Sequence, residues 1–249
     1  MAWSVLQSAS GTTSGTSVSA TFTTANVQAG NKIVVAASEG GTGAPAITSV
    51  QDGASNNWTQ LGSASQGNAR VYLYALDVPA GDVGTKPTIT ATWSGAGGGL
   101  GIVIQEVSGL RTGNTTAMID GTAATLTGTA ATTGSPTYSS AASNEYLVSV
   151  YGDFGTGQTV GTASGWTADA HNVNNSTNAD CLIQYKNSTG GSETDGFTAA
   201  DPGGWAIVEV AFLLPATAAT PGPPVTRHLV NTPVLLVSNA GWRNAGHSF

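Results

Sequence analysis

The apolar residues of this chain come in runs too short for helices and too regular for disorder. KIVVAAS (32–38), RVYLYALDV (70–78), PTITATW (87–93), GIVIQEV (101–107), EYLVSVY (145–151), CLIQYK (181–186) and WAIVEVAFLL (205–214) are separated by stretches rich in Gly, Asn, Asp and Ser. Several alternate with period two, and Val, Ile, Thr, Tyr and Trp dominate them, which is the pattern of half-buried strands. Turn signals recur about every 8–15 residues, the spacing of a sandwich or barrel. Charged residues make up only 8% of the chain, against roughly 25% in an ordinary soluble domain. The Glu, Lys and Arg that fill helices are therefore scarce. A 40% hydrophobic content excludes disorder, and 34 glycines without a three-residue period exclude collagen. The expected fold is all-β.

The same scarcity of charge limits the partners. A formal net charge of −7 with seven basic residues in all cannot offset a nucleic-acid backbone. No apolar run reaches the roughly 18 residues of a transmembrane helix, and MAWSVLQSAS lacks the basic and apolar regions of a secretory signal. The expectation is a protein without nucleic-acid or membrane partners. Cys181 is the one cysteine, so no internal disulfide forms, and its place in an apolar run predicts a buried thiol.

A weak repeat divides the chain. Asn31, KIVVAAS, the Trp58 segment, ARVYLYALDV and GIVIQEVSGL follow one another in the first half. Asn144, EYLVSVY, the Trp166 segment, ADCLIQYKNS and WAIVEVAFLL follow in the same order in the second. Trp58 then matches Trp166, and Glu106 matches Glu209. Each half ends in its most hydrophobic segment, which predicts a central strand. The simplest account is one β-sandwich domain over 1–215, jelly-roll-like, built from similar halves at about 1–110 and 144–215. Two separate domains are the alternative. The Thr- and Ala-rich stretch between the halves has enough β-branched residues for edge strands.

No motif for chemistry survives inspection. GAGGGLG (95–101) lacks the spacing and following helix of a dinucleotide loop, and reads as a hairpin loop. GTASGW (161–166) is not a nucleophile elbow. Asp169 and His171 share a strand face, but no nucleophile is evident beside them. Glu106 and Glu209 would have to flank a bond to act as a glycosidase pair. Their matched repeat positions argue instead for structural roles, because an acid and a base need unlike surroundings. The histidines at 171, 228 and 247 are scattered, and DGASNN (52–57), with Asp52, Ser55 and Asn57, reads as an Asp-Gly turn, not a calcium loop. The expectation is no enzyme, no cofactor and no metal. Trp3, Trp93 and Tyr138 lie near strand ends or loops, where aromatic rings can serve as sugar platforms.

After Pro215 the character changes. Residues 216–249 hold four of the ten prolines, two Arg, two His and no acid. The body, with five basic and fourteen acidic residues, carries −9, and the tail carries +2. PGPP (221–224) should be stiff and extended. Beyond it come Arg227, the apolar run Val234, Leu235, Leu236 and Val237, and then Trp242 and Arg243. A solvated tail has little use for such residues. They predict an extended docking arm that attaches to another subunit by strand addition and a buried aromatic.

The order NKIVVAASEGG, APAITSVQDGASNNWTQLGSASQGNARVYLYALDVPAG, TITATWSG, GIVIQEVSGL, NEYLVSVYGD and WAIVEVAFLLP resembles a β-sandwich family. That family is common in actinobacterial genomes and in the tailed phages that infect those bacteria. The resemblance covers roughly 1–215 and brings no catalytic residue. It implies a non-enzymatic virion protein on the particle surface, a minor tail protein or a capsid decoration protein. Other virion subunits, tail or capsid, would be its partners, and a homo-oligomer and a host glycan fit the same setting. The alternative is a carbohydrate-binding module acting at a bacterial cell surface or in phage adsorption.

Overall fold

The computed structural model describes residues 2–216 apart from 42, 44, 55, 57, 130–135, 155–159, 174–178, 195–196 and 199–202. Arg227, Val234, Leu235, Leu236, Val237, Trp242 and Arg243, the expected docking residues, lie outside the described residues. The first sheet contains β1 (Ser4–Thr21), β2 (Lys32–Gly40), β3 (Ile47–Gln51), β4 (Thr59–Gln66), β5 (Ala69–Asp77) and β6 (Thr88–Ser108). The second contains β7 (Ala124–Gly128), β8 (Thr137–Asp153), β9 (Thr167–Ala168), β10 (Cys181–Thr194) and β11 (Trp205–Phe212). All pairings are antiparallel. The fold is an all-β sandwich.

Strand order makes the repeat explicit. The first sheet runs β1-β6-β2-β5-β4 and the second β7-β11-β8-β10-β9. These are the same order, element for element. Each half builds its own sheet, so the chain crosses between sheets once, whereas a jelly roll alternates between them. The most hydrophobic strands, β6 and β11, are interior in both sheets, and the Thr-rich β7 is an edge. β3, which pairs with β6 off the main path, has no counterpart in the second half among the described residues.

Alternation along the strands sends side chains to two cores. Val34, Ala36, Val71, Leu73 and Val103 of the first sheet meet Val148, Val150, Ile183, Val208 and Val210 of the second. The opposite face of the first sheet, with Ile33, Val35, Tyr74, Ile102 and Ile104, is covered by Val18, Ala20, Ile89, Ala91 and Trp93. β1 and β6 reach both positions because they are long. PTITATW and GIVIQEV are the two ends of the single strand β6, and the glycine stretch between them is a bend inside it, not a hairpin loop. Gly98 explains the glycines: a Cβ there would lie 2.8 Å from the Gly41 Cα and 2.9 Å from the Gly40 carbonyl oxygen. Backbone crosses backbone at that point, with no room for a side chain.

Cys181 is fully buried between the sheets, its Sγ donating to the Ala36 carbonyl at 3.5 Å. Burial pushes its thiol up to about 12. A thiol held protonated and out of solvent is inert to disulfide exchange. We expect Ellman's reagent to titrate no thiol in the native protein and one per chain in guanidinium. A prompt native reaction would show that the inter-sheet core opens readily.

The charge deficit is larger at the surface than in the composition. Of fourteen acidic residues, ten are buried: Glu39, Asp52, Asp82, Glu106, Glu145, Asp153, Asp169, Asp180, Glu193 and Glu209. Among the described residues Lys86 is the one Asp, Glu, Lys or Arg that is exposed rather than buried or half-buried. Most of the body's acidic side chains are thus internal, and among the described residues what faces solvent is mainly Ser, Thr, Asn, Gln and Gly.

Candidate functional site

Glu106 and Glu209 do not meet. Val103 and Val107 on β6 and Val208 and Val210 on β11 point between the sheets. Glu106 shares a face with Ile102 and Ile104 of the other core, and Glu209 alternates with Val208 and Val210. The two carboxyl groups therefore point outward from opposite sheets, and no bond can lie between them. Glu106 is 1% exposed and fully engaged. Its Oε1 accepts from the Gln28 backbone N–H at 2.8 Å and the Asn31 Nδ2 at 2.7 Å, and its Oε2 from the Gln7 Nε2 at 2.7 Å. It is a tie between β1, β6 and the segment leading into β2.

A serine does stand beside His171. Ser8 Oγ on β1 is 2.8 Å from His171 Nδ1, in a cleft of about 270 Å³ lined also by Leu6, Thr24, Asp169 and Tyr185. The sequence hides this pair because 163 residues separate its members. The geometry is not that of a catalytic triad, in which the serine and the carboxylate use opposite ring nitrogens. Here Asp169 Oδ1 is 3.9 Å from the same Nδ1, so the carboxylate cannot hold a ring that takes the serine's proton. Asp169 instead accepts from the His171 backbone N–H at 2.7 Å and from the Gln105 Nε2 at 2.6 Å. Gln105 in turn accepts from the Tyr146 hydroxyl. The chain Tyr146–Gln105–Asp169–His171–Ser8 is a polar seam joining the two sheets, buried at one end and exposed at the other.

The three expected sugar-platform residues are core residues or pack on it. Trp93 and Tyr138 are 3% and 2% exposed, so neither shows a ring face to solvent. Trp3 stands edge-on to Tyr146 at 4.8 Å and to Tyr185 at 6.0 Å between ring centroids, capping the seam. Strand ends misled the expectation: the bend in β6 folds Trp93 inward, and the length of β8 carries Tyr138 under its neighbours. Asp52 does form a turn, its Oδ1 accepting from the Ala54 N–H at 3.0 Å and its Oδ2 from the Asn56 Nδ2 at 2.7 Å. Ser55 and Asn57 lie outside the described residues.

That turn leads to an aromatic cleft that the sequence reading did not single out. Thr48, Ser49, Val50 and Gln51 of β3, Asn56 and Trp58 before β4, and Tyr74 of β5 line about 250 Å³. Trp58 is half-buried and packs against the outer core. Tyr74 donates its hydroxyl to the Gln60 Oε1 at 2.8 Å, which fixes its ring at the cleft wall. Burial pushes that phenol up to about 12, so it stays neutral. Among the described residues no charged side chain lines the cleft. The repeat held the clue, since Trp58 matches Trp166, but only the structure shows that the two are treated differently. Trp166 is buried beneath Lys186, whose Nζ lies 4.6 Å from the ring centroid.

No family model matches the chain, and comparison with curated proteins and with solved structures gives no match either.

Proposed function

We propose that the protein is a non-enzymatic structural component of a tailed-phage particle, of the minor tail or capsid decoration type. In this reading the sandwich is displayed and the C-terminal segment attaches it to neighbouring virion subunits. The observation that carries the reading is the distribution of charge. Ten of fourteen acids are buried in the body, while residues 216–249 hold two Arg and no acid. A surface sparse in ionised groups among the described residues lets copies crowd on a particle with little mutual repulsion, and makes their contacts less sensitive to salt. The apolar run 234–237 and Trp242 supply what an attachment segment needs, a strand to add and an aromatic to bury.

The test is incorporation. In particles produced from the genome that encodes the chain, antibodies against the sandwich should label the surface in electron micrographs. A chain lacking 225–249 should fold but stay out of the assembly and be absent from purified particles. Normal incorporation of the shortened chain, or particles without the protein at all, would overturn the proposal.

A further inference from the structure

The two halves share a strand order, so each serves as a reference for the other. One departure is β3, which has no counterpart in the second half among the described residues and supplies a wall of the Trp58 cleft. A second departure lies on the same spot. The second half covers its matched tryptophan with Lys186, whereas the first half leaves Trp58 beside Tyr74 and open to a cleft. The β3 wall and the uncovered ring together build a concave site in the first half.

The lining specifies the ligand's chemistry. The indole nitrogen of Trp58 is sealed from solvent, so its side chain offers the cleft ring carbon. Such a surface suits the C–H face of a sugar ring. Around it stand short hydroxyls and amides: Thr48, Ser49, Gln51 and Asn56. The Asn56 Nδ2 is committed to Asp52 at 2.7 Å, which leaves its carbonyl oxygen to accept from a ligand hydroxyl. Gln51 is exposed at the rim, where its amide both donates and accepts. With no charged group among the described lining residues, an anionic or cationic ligand finds no partner there and would lose hydration for nothing. The volume is below the roughly 300–1,000 Å³ of drug-sized pockets, room for one or two sugar rings. We infer that this cleft binds a neutral saccharide, an aromatic ring stacking on the sugar and the β3 and turn amides taking its hydroxyls. The inference stands independently of where the protein resides.

The experiment is an NMR titration of the full-length, isotope-labelled protein with neutral disaccharides of glucose, galactose, mannose and N-acetylglucosamine, alongside a sulfated disaccharide. At least one neutral sugar should shift amide signals of residues 48–58 and Tyr74, and the sulfated one should not. Gln51→Ala, at an exposed position, should keep the native melting temperature and weaken binding about tenfold, the loss of one good hydrogen-bonding group. Trp58→Ala should abolish it. Because Trp58 also packs on the outer core, the Gln51 variant decides the matter if the Trp58 variant unfolds. Shifts with no neutral sugar, shifts mapping elsewhere, preference for the sulfated sugar, or full affinity in Gln51→Ala would each overturn the assignment.

Discussion

Replacing Glu106 by alanine is expected to destabilise the sandwich by about 4 kcal/mol, because two buried donors and a part-buried one lose their acceptor together. The Gln28 N–H, the Asn31 amide and the Gln7 amide all converge on this one carboxyl group at 2.7–2.8 Å. Gln7 is itself tied to Ala25 through both ends of its amide, at 3.0 Å each. The loss therefore spreads along β1 and the loop that follows it. For a chain of this size 4 kcal/mol corresponds to a fall in melting temperature on the order of 10 °C. Glu106→Gln separates hydrogen bonding from packing. It retains an acceptor for Gln28 and Asn31 but turns an N–H₂ toward the Gln7 Nε2, and should cost about half as much. Thermal unfolding of the two variants checks this. A loss below about 1 kcal/mol in Glu106→Ala would mean that the carboxyl group is held for something other than the fold.

This carboxyl group also marks where sequence reading stopped. The strands that bury one full side were legible, since KIVVAAS, EYLVSVY and WAIVEVAFLL carry dense β-branched and aromatic residues. So was the repeat, which the shared strand order confirms. β1 was not legible. SVLQSASGTTSGTSVSAT is mostly Ser, Thr and Gly, and its strand nature comes from pairing with β6 along most of its length, which is tertiary information. The glycine stretch 95–101 looked like a loop because glycine has no strand preference. Its meaning is the close backbone crossing at Gly41 and Gly98, over fifty residues apart in sequence. Aromatic exposure was the hardest to read. Trp3, Trp58, Trp93 and Trp166 have similar local settings, and only the covering elements, β3, Lys186 or a bent β6, decide which ring faces solvent.

Mild acid is expected to stabilise this protein, and Glu39 is the main reason. Glu39 is fully buried, and its carboxyl oxygens have no hydrogen-bond partner among the described residues. It lies beneath the glycine crossing, where a Cβ on Gly97 would meet its Cγ at 3.0 Å. Its cross-strand neighbour is Arg70, too far for an ion pair. Burial pushes the carboxyl up from 4.5 to about 7, partly offset by the Arg70 charge. Asp153 is displaced the same way, from 3.8 to about 6, with burial the largest cause. The sign follows from proton counting. Below the unfolded value both states hold the proton, and neither group affects stability. Between the unfolded and folded values the unfolded chain has released a proton that the folded chain keeps, so stability falls as pH rises. The decline should run from about pH 4.5 to 7 and then level off. For Glu39 its full extent is on the order of 3 kcal/mol. Glu193, held low by Lys186 and the Thr189 groups despite its burial, opposes this only below that window. Its contribution is present above its unfolded value and is lost as pH falls through its lowered folded value. Glu39→Gln keeps the shape and removes the ionisation. It should raise the melting temperature at pH 7.5, leave it unchanged near pH 4.5, and flatten most of the slope between. Asp153 supplies the remainder together with Asp82, whose carboxyl group burial also pushes up. Melting curves across that range decide it: a wild-type protein that is least stable at pH 5, or a Glu39→Gln variant with the wild-type slope, would show that the Glu39 niche admits enough water to ionise it freely.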